Sequence, residues 1–188
     1  MDIFVDRVHE KGEQIFLNYG AHSNPFLLVE YGFMLEDNPN DRLSLDSMVL
    51  MRLNESEKNM LESMNYLGNY SIGKDGSPDY RLEVVLHLLI SPFLGSKTDY
   101  GLLKSRKRLE DFINGNDETE GRVLEVREYL SSLMKDKMKE IQKGIDKVTS
   151  ENKKAELPNF EAIIQTWVGD SNIVMAYTDY LNSKNCIL

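Results

Sequence analysis

The chain has a single cysteine, Cys186, third from the end. A lone thiol excludes a disulfide framework and any zinc site built from cysteines, and makes the reducing cytoplasm or nucleus the expected compartment. Its position also misses the prenylation pattern, which needs cysteine fourth from the end. Long apolar runs are missing too. The longest, Val84 to Ile90, carries His87 at its centre and falls far short of the ~20 residues that span a bilayer, so no membrane partner is expected. Met1-Asp2-Ile3-Phe4-Val5-Asp6 lacks a basic stretch and a cleavage site, and does not read as a signal peptide. The three histidines, His9, His22 and His87, do not have ligand spacing, so no metal is expected; His87, mid-helix among leucines, reads as a core or boundary residue.

An excess of positive charge is also lacking. The formal charge is −9 over 188 residues, with 41% hydrophobic and 28% charged side chains, which suits a soluble globular chain of one domain or slightly more. Residues 1–100 hold eight lysines and arginines against sixteen acids, whereas residues 101–188 are nearly balanced at fourteen against fifteen. Nucleic-acid binding needs clustered cations and is not expected. An acidic first half suits a basic protein partner, although solubility alone accounts for such an imbalance. The one basic cluster, Lys104-Ser105-Arg106-Lys107-Arg108, reads as a solvated helix face before a nuclear-import or acidic-partner patch.

The first fifty residues read as short strands and turns. Ile3–Val5 and Gln14–Tyr19 are strand-length runs, separated by a turn at Lys11-Gly12-Glu13. Asn24 as N-cap and Pro25 at the first helical position open a short helix that Gly32 stops. Asn38-Pro39-Asn40-Asp41 is turn chemistry before a strand at Arg42–Leu45. From residue 55 the period turns helical. Helices are expected over Glu55–Tyr66, from a Ser77-Pro78 cap to Ile90, and over Asp99–Ile113, with a small strand at Asn69–Ile72. Met48, Met51, Met60 and Met64 read as gap-filling core before a soft binding surface. Between Glu118 and Val148 the apolar residues Val123, Val126, Leu130, Met134, Met138, Ile141, Ile145 and Val148 recur at gaps of three and four, the α-helical period. A polar linker at Thr149–Glu156 and a final helix opened by Pro158, with a break at Gly169-Asp170, complete the chain. Two long amphipathic helices on a short connection should pair antiparallel. The fold class is α+β, mostly α.

One stretch is more specific than the rest: Lys11-Gly12-Glu13-Gln14-Ile15-Phe16-Leu17-Asn18-Tyr19-Gly20, then Ser23-Asn24, then Leu28-Val29-Glu30-Tyr31-Gly32-Phe33. Two tyrosines end two elements, and each is followed by a glycine that lets the backbone turn sharply. Tyr19 and Tyr31 can therefore face one cavity. On spacing alone they read first as two half-buried aromatics with their hydroxyls in water.

The segment resembles the C-terminal signature of a SET domain, in the lineage of the Rubisco large-subunit methyltransferase. Fungal members of that lineage act on ribosomal proteins, elongation factors and other non-histone proteins. The helical remainder is similar to that family's substrate-binding domain. The resemblance implies a C-terminal SET segment over residues 1–45 and a helical substrate-binding domain over 46–188. It also implies methylation of a protein lysine with S-adenosylmethionine as donor. Tyr19 matches the catalytic tyrosine, which also touches the donor. Tyr31 matches an aromatic of the substrate-lysine channel, with Phe33 behind it. The implied partner is a protein substrate, expected to be basic: a ribosomal protein, an elongation factor or a histone.

The family's Asn-His donor-binding stretch normally lies some tens of residues before the Gly-Glu strand. Only eleven residues precede Gly12 here, and they hold no Asn-His pair. The chain therefore reads as the C-terminal portion of an enzyme, inactive alone and active when the upstream SET half is supplied. The alternative from another class is a truncated, non-catalytic helical module that binds a protein and transfers nothing.

Overall fold

The computed structural model describes residues 7–15, 19–92, 94–95, 98–116 and 120–185. Within them the order is α1 (Asn24–Tyr31), β1 (Arg42–Ser44), α2 (Asp46–Leu50), α3 (Glu55–Ser63), β2 (Ser71–Gly73), α4 (Tyr80–Leu89), α5 (Asp99–Ile113), α6 (Glu120–Ala155) and α7 (Phe160–Asn185). Seven helices and one small antiparallel sheet make the class α+β, mostly α, as the sequence predicts. β1 and β2 pair in the register Leu43↔Ile72, which puts both of these side chains in the core.

Side-chain caps fix the starts of α3, α4 and α5. Asn54 and Glu57 form a reciprocal capping box on α3, and buried Glu57 also accepts from the Gly95 amide at 2.6 Å. Asp79 caps α4 by accepting from the Leu82 amide at 2.7 Å, while its other oxygen takes the amide and hydroxyl of Ser71. One carboxylate thus joins the central helix to β2. Thr98 caps α5 through the Gly101 amide.

α4 is buried nearly all round: Leu82 and Val84 to Leu89 are all in the core. It packs on α5 and α6, and α6 packs along α7. Three contacts define the direction of the last pair. Gly144 lies against Trp167, Met138 Sδ accepts from Ser171 Oγ, and the Arg127 carbonyl accepts from Tyr177 Oη. Partners rise along one helix as they fall along the other, so α6 and α7 are antiparallel, as expected. α7 also covers both strands and touches α1, which links the helical body to the N-terminal segment.

Several boundaries differ from the sequence reading. α6 runs through the expected linker to Ala155: Glu151, Lys153, Lys154 and Ala155 are good helix formers, and Thr149, Ser150 and Asn152 are carried along with them. α7 passes unbroken through Gly169-Asp170. The cap of α4 is Asp79, two residues beyond Ser77. The N-cap of α1 is Ser23, and Asn24 lies inside the helix with its side chain occupied elsewhere. α2 was not anticipated. The expected strand Ile3–Val5 lies outside the described residues, as do residues 16–18 of the strand expected over Gln14–Tyr19; Gln14, Ile15 and Tyr19 have irregular backbone. Met48 and Met60 are core, whereas Met51 is exposed.

Candidate functional site

The three aromatics singled out in the sequence meet. Tyr19 lies 4.6 Å from Tyr31 between ring centroids, at an interplanar angle of 60°, and 5.4 Å from Phe33, edge to face. Tyr31 and Phe33 are 6.4 Å apart. Phe26 meets the edge of Tyr31 at 6.3 Å and stacks on His22 at 4.2 Å. Such geometries favour aromatic pairs by about 0.5–1.5 kcal/mol beyond area burial.

Local chain chemistry explains the meeting. α1 presents Tyr31 at its last position, and Gly32 at φ +76° caps it in the left-handed region, its N–H donating to the Leu28 carbonyl. Phe33 follows directly and folds back beside Tyr31. Gly20, at φ +94°, turns the chain just after Tyr19. The two Tyr-Gly dipeptides act as the sequence suggests, each placing a ring at a sharp turn.

The cluster is open to solvent, with Tyr19 45% and Tyr31 48% exposed. Exposed π faces suit a cation such as an ammonium or a sulfonium, so these residues fit the methyl-bearing end of a sulfonium donor in kind.

Sequence reasoning missed what lies beneath. Asn24 and Asn38 are buried amides, and both are bonded. Asn24 Nδ2 donates to the Leu35 carbonyl and to Asp41 Oδ2, each at 2.9 Å, while Asn24 Oδ1 accepts from the Leu35 amide at 2.8 Å. The Asn24 amide donates to Asp41 Oδ1 at 2.6 Å. Asn38 Nδ2 donates to the His22 carbonyl at 2.8 Å. The sequence signal was present as Asn24 and Asn38-Pro39-Asn40-Asp41, but local spacing suggested only a cap and a turn.

Beside this network a groove of about 680 Å³ opens between the loop after α1 and α7. Glu36, Asp37, Asp41 and Lys74 line one side, Gln165 and Asn172 the other. Lys74 pairs with Asp37 and holds its carboxyl below the usual aspartate range. Nearby Asp170 moves the opposite way: burial pushes it up to about 6, against the pull of Lys137, with Asp41 and Glu140 adding to the rise. A second cavity, of about 220 Å³, lies among α4, α5, α6 and α7, lined by His87, Phe112 and Tyr177. His87 stacks on Phe112 at 3.8 Å, in keeping with a core role. Lys104, Arg106 and Lys107 are exposed on α5, where Arg106 pairs with Glu110 one turn on, the solvated face expected. No metal-binding group of side chains occurs among the described residues, and none of their helices is long and apolar enough to cross a membrane.

The chain is a helical body on a two-stranded sheet preceded by a Tyr-Gly aromatic cluster, and similarity to known proteins places it among the C-terminal regions of SET-type lysine methyltransferases. Residues 41–181 match the ribosomal lysine N-methyltransferase 2 C-terminal domain, and the chain belongs to that family. The match begins at Asp41, so the aromatic cluster lies just ahead of it. The chain is 31% identical over 139 residues to the ribosomal lysine N-methyltransferase set11 of Schizosaccharomyces pombe, covering 74% of this chain and 35% of that protein. It is 32% identical over 106 residues to ribosomal lysine N-methyltransferase 2 of Saccharomyces cerevisiae, covering 55% and 19%. The SET domain-containing protein 4 of Artemia parthenogenetica is 27% identical over 149 residues, covering 75% and 34%. The chain thus spans about a third or less of the length of these relatives. No solved structure matches it.

Proposed function

We propose that the chain is the C-terminal part of a protein-lysine N-methyltransferase that uses S-adenosylmethionine, acting with an upstream SET half. The observation that carries this reading is the aromatic cluster of Tyr19, Tyr31 and Phe33, set immediately before a domain of the ribosomal lysine methyltransferase family. In this reading residues 1–45 are the end of the SET domain and residues 46–188 dock the protein substrate. β1 lies on the first side of that boundary and pairs with β2 on the other, so the two parts share a sheet.

S-adenosylmethionine, when bound, supplies an electrophilic methyl group on a sulfonium sulfur. The rest falls to side chains. A lysine amine has a pKa near 10.4 in water and must lose its proton to act as nucleophile. The walls formed by Tyr31 and Phe33 replace water around the substrate side chain, and desolvation disfavours the charged amine. The Tyr31 ring also offers its face to the lysine before deprotonation. The Tyr19 hydroxyl accepts from the amine and aims its lone pair, and such alignment supplies much of the rate. The substrate is a ribosomal or other basic protein. Glu36, exposed in the loop that follows Phe33, would attract its cationic residues and speed encounter. A cytoplasmic or nuclear location follows from such a substrate.

The test joins the chain to its upstream half and supplies purified ribosomal proteins with isotopically labelled S-adenosylmethionine. Label on a lysine, read by mass spectrometry, is the expected result. Binding of a ribosomal protein to the helical domain without transfer would replace this reading with that of a non-catalytic interaction module.

A further inference from the structure

We infer that Asn24 and Asn38 are positioning residues, a buried amide clamp that sets the spacing of Tyr19 against Tyr31 and Phe33. Tyr19 stands before α1 and Phe33 after it, and no strand pairing ties these two flanking segments to each other among the described residues. Each is held instead by one asparagine. Asn38 grips the His22 carbonyl, three residues after Tyr19. Asn24 grips both the amide and the carbonyl of Leu35, two residues after Phe33. The side chains then meet each other, Asn38 Nδ2 lying 3.4 Å from Asn24 Oδ1. Both are anchored to Asp41, which directly precedes β1 and hence the helical body.

The chemistry of an amide is required at position 24. Its oxygen accepts from one backbone N–H while its nitrogen donates to a backbone carbonyl and to a carboxylate. Aspartate has the same shape but cannot donate, and it would set a second carboxylate against Asp41. Buried amides with partners on every side hold one geometry, because any other arrangement leaves a polar group unpaired away from water. Tyr19 and Tyr31 are about half exposed, so their own packing fixes their separation only weakly, and the clamp below supplies the rigidity.

The structural arm of the test uses the 188-residue chain and NMR contacts between rings. Asn24→Asp is expected to abolish the Tyr19–Phe33 contact while the Trp167–Gly144 contact in the helical body persists. Exchanging the two groups, Asn24→Asp with Asp41→Asn, restores a donor–acceptor pair and is expected to recover part of the ring contact. Asn38→Ala removes the bond to the His22 carbonyl while the bonds of Asn24 to Leu35 remain, so Tyr19 should part from both partners while Tyr31 and Phe33 stay together. It carries the test if Asn24→Asp fails to fold. Unchanged ring contacts in a folded variant would overturn the clamp.

The kinetic arm rests on the methyltransferase reading and uses the chain joined to its upstream half. Asn38→Ala should lower kcat by about 10- to 100-fold, the scale of a small misplacement, with KM for the protein substrate within about twofold. An unchanged kcat per folded molecule would also overturn the inference. If the joined protein itself transfers no methyl group, the methyltransferase reading fails, and the structural arm still decides the clamp.

Discussion

Gly144 of α6 and Trp167 of α7 lie so close that a β-carbon on the glycine would stand 2.7 Å from Trp167 Cζ2. The indole is a rigid plane, so any side chain at 144 has to displace the whole ring. Trp167 is also the chain's one tryptophan, which makes it a specific reporter. Alanine at 144 gains about 1 kcal/mol in helix propensity, but overpacking of this kind costs about 1–3 kcal/mol. Gly144→Val, with more bulk and less propensity, is predicted to destabilise by about 2 kcal/mol and to shift tryptophan emission to longer wavelength. Emission unchanged from the parent would show that the two helices can part without moving the ring.

Gly76 makes an even closer approach, in this case to backbone. A β-carbon there would lie 2.4 Å from the Ala176 carbonyl carbon and oxygen of α7, and the residue has φ +81°. Left-handed backbone alone costs a non-glycine residue about 1–2 kcal/mol. Gly115 has φ +69° with nothing within 4 Å, and so isolates that cost. Gly76→Ala is predicted to lose about 2–4 kcal/mol in urea denaturation, and Gly115→Ala only about 1 kcal/mol. Equal losses would mean that the turn after β2 is not wedged on α7.

These two glycines mark where the sequence stops being legible. Asp99–Ile113 was readable to the residue, because Thr98 can cap and Asn114-Gly115 breaks the helix. The antiparallel pairing of α6 and α7 followed from period and loop length. The end of α6 did not, since the apolar repeat stops at Val148 while the helix continues to Ala155. The meeting of Tyr19 with Tyr31 was one of two readings, and glycine chemistry was its only local clue. The clamp beneath was illegible for a different reason. Asn24 and Asp41 are seventeen residues apart and meet only because the intervening loop folds back, and no periodicity records such a contact. The roles of Tyr19, Tyr31 and Phe33 rest on resemblance, to which the structure adds their proximity.

Asp170 gives the protein a specific response to pH. Its folded-state pKa of about 6 lies above the ordinary value of 3.8, chiefly because burial disfavours the carboxylate. Between those values the unfolded chain has released the proton while the folded chain holds it, so this group's contribution to stability falls as pH rises through the window. Above about pH 6 the loss is complete, about 1–2 kcal/mol once partial solvent contact and the opposing Lys137 are allowed for. Asp170→Asn is predicted to be more stable than the parent at pH 7 and equal to it near pH 3.5, measured by thermal unfolding across the range. A variant less stable at pH 7 would mean that the Lys137 attraction outweighs burial.

Tyr19 separates ring from hydroxyl. Its ring packs 4.6 Å from Tyr31 and 5.4 Å from Phe33, so Tyr19→Phe keeps the cluster and removes one oxygen. At a residue this exposed, stability should change by less than about 0.5 kcal/mol. In the chain joined to its upstream half, methyl transfer should fall by about 100-fold or more, because in the proposed reaction this oxygen aims the amine. Donor binding by calorimetry should stay within about twofold. Tyr31→Phe keeps the channel wall and is predicted to cost less than Tyr31→Ala, which opens the wall to water. Equal turnover in Tyr19→Phe and the parent, at equal thermal stability, would remove the hydroxyl from the reaction and leave Tyr19 a packing residue.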